Sequence, residues 1–216
     1  MKKIHQNSVT LMLLLSALLF YSCNKSEQTI APIIANEALT TIQLQLTNVS
    51  NAADVQTPQW EQLLDNKGNP LPADTSKAIL NLAANSTYNC SLLIYDKTQN
   101  PPTNVSEEIY NRRNYHLEYY QPTPISPSNL IISNTSTDIP GTPTSATGPY
   151  LNLVVTRTDL DTNNPPLQVG LSTQFVTGAA STGRLRVVQR HQPNAKNGTY
   201  APGSSDFDVN FTVNIK

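Results

Sequence analysis

The sequence predicts an all-β protein: an immunoglobulin/fibronectin-like β-sandwich with one short helix, preceded by a lipoprotein signal peptide. Three observations carry this. Apolar residues alternate with polar ones over short runs, as in Ile42, Leu44 and Leu46, or Phe207, Val209, Phe211, Val213 and Ile215. Clusters of Asn, Asp, Pro, Ser and Gly punctuate those runs where turns belong. The chain opens with Lys2-Lys3, an apolar stretch from Leu11 to Phe20, and then Tyr21-Ser22-Cys23. A charged segment, a short apolar segment and a small residue before a cysteine make a bacterial lipoprotein signal.

The opening stretch is too short for a membrane span. Val9 to Tyr21 supplies thirteen positions, interrupted by Thr10 and Ser16, where about 20 apolar residues are needed. Cleavage before Cys23 divides the chain into a signal peptide (1–22), a lipidated cysteine with a flexible tether (23–37), and a β-sandwich domain (38–216). A single acyl chain binds membrane only reversibly, so stable anchoring needs the cysteine to carry several.

The elements follow in order. Residues 41–47 alternate as a half-buried strand, and Asp65-Asn66-Lys67-Gly68-Asn69-Pro70 reads as a turn. Ala78 to Leu82 and Tyr88 to Tyr95 are two strands joined by five small or polar residues. The spacing from Leu82 to Tyr88 is that of a tyrosine corner, in which the phenol bonds back to upstream backbone at a crossover. Ser106 to Arg113 predicts one or two helical turns, with Ser106 as cap, Glu107 and Glu108 in the first turn and Arg112-Arg113 at the end. Tyr115 to Tyr120 is a strand, and a short one is expected at Leu130-Ile131-Ile132 between loops rich in Pro, Ser and Thr. Residues 151–156, 167–176, 183–191 and 207–215 read as a β meander. On its outer face Arg184, Arg186 and Arg190 can pair with Asp206 and Asp208.

Composition excludes some classes. Only 13% of residues are charged, and losing Lys2 and Lys3 with the signal takes the formal charge from −1 to −3. No basic stripe is available for nucleic acid. Gly-x-Ser-x-Gly, a phosphate-binding loop and a zincin helix are absent, and the chain reads as non-enzymatic. Cys90 shares a strand face with Tyr88, Leu92 and Ile94, so it is expected to be a small buried hydrophobe.

Two sets of residues remain as candidate ligands. Asp159, Asp161 and Asn163 alternate like the opening of a calcium loop, where a hard cation collects oxygens from one tight turn. The twelfth position is Gly170 rather than a bidentate Glu, so an Asx-rich turn is the competing reading. His116 and His191 lie near strand ends. If those strands are neighbours, they could ligate zinc together with Glu107, Glu108 or Glu118. No cofactor is required by the sequence, and calcium or zinc at these residues is the candidate ligand.

Asn36 to Ile42, Ser106 to Ile109, His116-Leu117, Gly183 to Pro193 and Lys196 to Val209 carry a resemblance. On these stretches the chain resembles a family of Bacteroidota outer-membrane lipoproteins with a single β-sandwich domain and no assigned chemistry. The resemblance implies the outer membrane as address and transfers no catalytic residues. The expectation is a lipid-anchored envelope binding or accessory module, at the periplasmic face, serving an outer-membrane uptake system through a membrane-protein partner. A metal-binding lipoprotein using His116 and His191, or a structural or adhesive surface module, is the alternative.

Overall fold

Alternation of buried and exposed residues organises the chain into two antiparallel-rich sheets that share one apolar interior. The computed structural model describes residues 38–124 and 151–216. Cys23, the tether expected up to residue 37 and the strand expected at Leu130-Ile131-Ile132 lie outside the described residues. Ala38 to Lys216 forms one compact unit.

The first sheet is built on β1 (Thr41–Asn48) and β5 (Thr87–Asp96), antiparallel over their full shared length. β9 (Ser172–Thr177) continues it beyond β5, and β8 (Leu153–Arg157) forms its edge. Short segments β2 (Val55–Gln56) and β3 (Gln59–Glu61) cover the free side of β1, and β6 (Thr103–Asn104) pairs with the end of β5. The second sheet runs β4 (Ile79–Leu82), β11 (Ser204–Ile215), β10 (Ser181–His191), β7 (His116–Pro124). All its pairings are antiparallel except β4 with β11.

The interior is what the period-2 pattern predicts. Ile42, Leu44 and Leu46 from β1 and Tyr88, Leu92 and Ile94 from β5 face Leu185, Val187, Val209, Phe211 and Val213 of the other sheet, all buried. Each fully buried aliphatic or aromatic side chain contributes about 1.5–3 kcal/mol relative to exposure. Cys90 lies among them, and burial pushes its thiol up to about 12, so it stays protonated. As a neutral thiol it is a packing residue and not a nucleophile.

Three expectations are corrected. The last four strands are not a meander in one sheet: β8 and β9 pair in the first sheet, and the chain then crosses to β10 and β11 in the second. Gly178-Ala179-Ala180 makes that crossover short, and a Cβ on Gly178 would stand 3.1 Å from that of Asn152. The second strand of this stretch begins at Ser172 rather than Leu167, because Asp159 and Asp161 hold residues 167–171 in a turn. The helix, α1 (Ser106–Asn111), is not capped by Ser106. That hydroxyl instead accepts the Ile94 backbone N–H at 2.6 Å and ties the helix to β5.

The junction from β4 to β5 is locked by two hydroxyls. Tyr88 is fully buried; its hydroxyl accepts the Ala83 N–H at 2.9 Å and donates to Asp54 at 2.7 Å. Thr177 donates to the Ala83 carbonyl at 2.7 Å and accepts the Ser86 N–H at 2.9 Å. Tyr88→Phe removes both bonds, one of them to a carboxylate, and is expected to lower unfolding free energy by about 1–3 kcal/mol. Urea unfolding midpoints read the change, and an unchanged midpoint would mean the corner carries no load.

Candidate functional site

Strand direction gathers the chemistry at one end of the sandwich. β5 ends at Asp96, β7 starts at His116, β9 starts at Ser172, and β10 ends at His191 beside the start of β11. The β5–β7 connection (97–115, with α1), the β8–β9 loop (158–171) and the β10–β11 loop (192–203) therefore converge.

Polar contacts, with a buried ion pair at their centre, fix these loops to one another. Lys196 of the last loop ion-pairs with Asp161 of the second at 2.8 Å, with side chains 1% and 0% exposed. The same ammonium donates to the Arg113 carbonyl of the first loop at 3.0 Å. Asn114 accepts from the Thr162 backbone and hydroxyl, both at 2.9 Å. Burial alone would raise the Asp161 carboxyl, but the Leu167 N–H, the Lys196 ammonium and the Asn163 N–H outweigh it and hold it below the ordinary range.

The predicted calcium loop has become this latch. Asp159 accepts the Gly170 and Leu171 N–H groups at 2.7 and 3.0 Å. Asp161 accepts from Leu167 N–H, from both the backbone and side-chain nitrogens of Asn163, and from Lys196. A calcium ion here would have to displace an ammonium and several N–H donors, so Asp159, Asp161 and Asn163 act as a turn.

The β10–β11 loop is wound around one guanidinium. Arg190 donates to the carbonyls of Tyr200, Pro202 and Gly203 and to the Ser205 hydroxyl, at 2.7–3.1 Å, with its guanidinium 4.5 Å from the Tyr200 ring centre. Gly203 adopts φ +76°, and a Cβ there would fall on the His191 carbonyl. The loop can thus close only against the strand end that carries His191.

His116 and His191 are directly paired across β7 and β10. Their rings stack with centroids 4.9 Å apart and planes 16° from parallel. The sequence left open whether these strands adjoin; the structure makes them neighbours. The nearby carboxylate is Asp206, not Glu118. A bulge puts it there: Gln189 pairs with Phe207 but Arg190 pairs with Ser205, so Asp206 is the extra residue and its side chain is re-aimed. Asp206 comes within 4.0 Å of both His116 Nε2 and His191 Nδ1. Asp206 was expected to pair with the outer arginines. Arg186 pairs with Asp208 instead, through two bonds, and Arg190 serves the loop.

His116 is buried and its Nδ1 lies 3.1 Å from the Arg112 carbonyl. A carbonyl only accepts, so Nδ1 carries the proton. Burial, followed by the neighbouring His191, pushes the imidazole down to about 4, so it is neutral at physiological pH with a bare Nε2 towards Asp206. Burial also raises the Asp206 carboxyl.

Glu118 lies two residues further along the same strand face, wholly buried, accepting from Gln189 Nε2 at 2.9 Å. It stands against Gly170, where a Cβ would be 2.8 Å from its own. Glu107 is exposed and Glu108 pairs with Arg112 at 3.1 Å, so neither joins the histidines. A sequence signal could have pointed to Asp206, since it lies fifteen residues past His191 across an obvious hairpin. The bulge that aims it inward has no such signal.

Burial drives the Glu118 carboxyl well above the ordinary range, with nearby Asp206 and Asp159 adding to the shift against the Gln189 bond. The folded state therefore prefers the protonated form. That contribution is complete below the unfolded carboxyl's value, about 4.3, and is lost as pH rises towards the folded value. Glu118→Gln keeps shape and neutrality, so its Tm should match wild type near about pH 4 and exceed it near about pH 8. A Tm below wild type at the higher pH would show that the ionised carboxylate is the stabilising form.

No protein-family model, no curated protein and no solved structure matches the chain.

Proposed function

We propose that this protein is a lipid-anchored, non-enzymatic binding or accessory module of immunoglobulin type. On this reading it is held by Cys23 at the periplasmic face of the outer membrane and engages a membrane-protein partner of an uptake system. The observation that carries it is the loop end. Three loops from different strands are cross-linked there around a buried ion pair, and two of them present Tyr110, Tyr115 and Leu160 to solvent, 50%, 39% and 54% exposed. The Arg113 guanidinium stands 4.5 Å from the Tyr110 ring centre. Rigid tyrosines and arginine on a fixed scaffold are the residues that dominate binding surfaces, because they give large contact area for little ordering entropy.

The immunoglobulin assignment is supported by strand order. β1-β5-β9-β8 corresponds to A-B-E-D, and β11-β10-β7 to G-F-C. β4, parallel to β11, takes the place of a first strand that divides its pairing between both sheets. Under this correspondence Tyr88 opens strand B, whereas the tyrosine corner opens strand F. The bond is of the same kind at a different crossover.

The position of the anchor fits a membrane partner. β1 begins at Thr41 opposite Tyr95, so the chain enters the sandwich at the end that carries the loops. On this reading fifteen residues, 23–37, join the lipidated cysteine to that entry point.

The test is capture after cross-linking in whole cells. Wild type should incorporate labelled palmitate at Cys23 and bring down one reproducible outer-membrane protein. Tyr110→Ala with Leu160→Ser should lose the partner while keeping the label and the Tm. Undiminished capture by that variant would remove the loop end from the reading. The absence of any reproducible partner would favour the structural or adhesive role instead.

A further inference from the structure

The loop end carries a second feature that the exposed tyrosines do not use. His116, His191 and Asp206 each offer one ligand atom here, and the three atoms all lie within 4.8 Å of one another. We propose that these three side chains form a binding site for a divalent first-row transition metal, zinc above all, with a fourth position open to solvent.

Four structural features support the site. The donor set is two imidazoles and one carboxylate, which suits zinc and its neighbours and not calcium or magnesium. His116 is oriented in the way metal-binding histidines are. Its Nδ1–H is committed to the Arg112 carbonyl at 3.1 Å, which leaves Nε2 facing Asp206. The carboxylate reaches the histidines only because β11 gains an extra residue at Asp206, and bulges commonly re-aim a side chain at functional positions. Finally, the three groups do not satisfy one another directly. Asp206 stands 4.0 Å from each imidazole nitrogen, beyond hydrogen-bond reach.

The geometry needs a modest adjustment. Zinc–nitrogen and zinc–oxygen distances near 2.0–2.2 Å place tetrahedral ligand atoms about 3.3 Å apart, so atoms now up to 4.8 Å apart must close by up to about 1.5 Å. The His191 ring must also turn out of its stack on His116 for both ring planes to meet the metal. The mobile partners are the right ones for this. His191 and Asp206 side chains are 36% and 27% exposed, while the buried His116 is 5% exposed and stays put. Their exposure also gives the metal a path in and leaves one position for water or an incoming ligand. Arg112 and Arg190 act on Asp206, and Lys196 and Arg112 on His116. These cations oppose a dication, so the site is an exchangeable one, weaker than a closed structural zinc site.

Metal binding here would join the ends of β7, β10 and β11 at the base of the 192–203 loop. The inference does not depend on the membrane-partner reading, and the two fail separately. The experiment is equilibrium dialysis and calorimetry of the full chain, purified in detergent and stripped with chelator, against zinc alone. One zinc per chain is expected, with His191→Ala and Asp206→Asn each lowering affinity at least tenfold. Cobalt in place of zinc should give the intense visible bands of a four-coordinate centre, lost in both variants. Glu118→Gln should bind as wild type does. Matching Tm values in chelator establish that the variants fold, and Asp206→Asn alone decides the matter if His191→Ala does not. No zinc uptake, or uptake undiminished in Asp206→Asn, overturns the proposal.

Discussion

The buried ion pair between Lys196 and Asp161 is the contact on which the loop end depends. Both side chains are removed from water, and desolvating two ions costs several kcal/mol each unless further bonds complete the site. They are completed: Lys196 also donates to the Arg113 carbonyl, and Asp161 takes the N–H groups of Asn163 and Leu167. One ammonium therefore reports to all three loops. A pair of this kind contributes little net stability over an apolar substitute, but it allows only one arrangement of its neighbours. Uniqueness of the loop end, more than its stability, is what the pair supplies.

The next layer inward shows the same economy. Glu118 and Gln189 are paired across β7 and β10 one step deeper than the histidines, and Tyr120, one step deeper again, donates to the Gly170 carbonyl at 2.6 Å. Polar residues on the core face thus decrease from the loop end towards the middle, where Val187 and Leu185 take over. Along β7 and β10, the gradient leaves the aromatic and aliphatic interior continuous beyond the loop end.

Much of the sandwich was legible from alternation alone. The β11 row from Phe207 to Ile215 and the β1 row from Ile42 to Leu46 are buried as their patterns require. Local patterns failed where a long-range partner decided the outcome. Ser106 has every local reason to cap a helix, yet Ile94 claims its hydroxyl. Asp159 and Asp161 resemble a cation loop because the same oxygens that bind calcium also bind N–H groups, and only the position of Lys196 distinguishes the two. Asp206 belongs by alternation with the outer-face charges, and a single inserted residue moves it to the histidines. Sheet membership was hidden for the same reason: β8 to β11 read alike, and nothing local says that the chain changes sheets after Thr177.

The place of β11 has a consequence in time. It follows every other described strand in sequence, yet it lies between β4 and β10, and Lys216, just beyond it, exchanges backbone hydrogen bonds with Leu82 and Ala84. Residues 79–82 remain without their sheet until residues 212–215 arrive, and contacts of such separation are slow to form. The second sheet therefore stays incomplete, with β4 unpaired, until β11 is free to insert between β4 and β10.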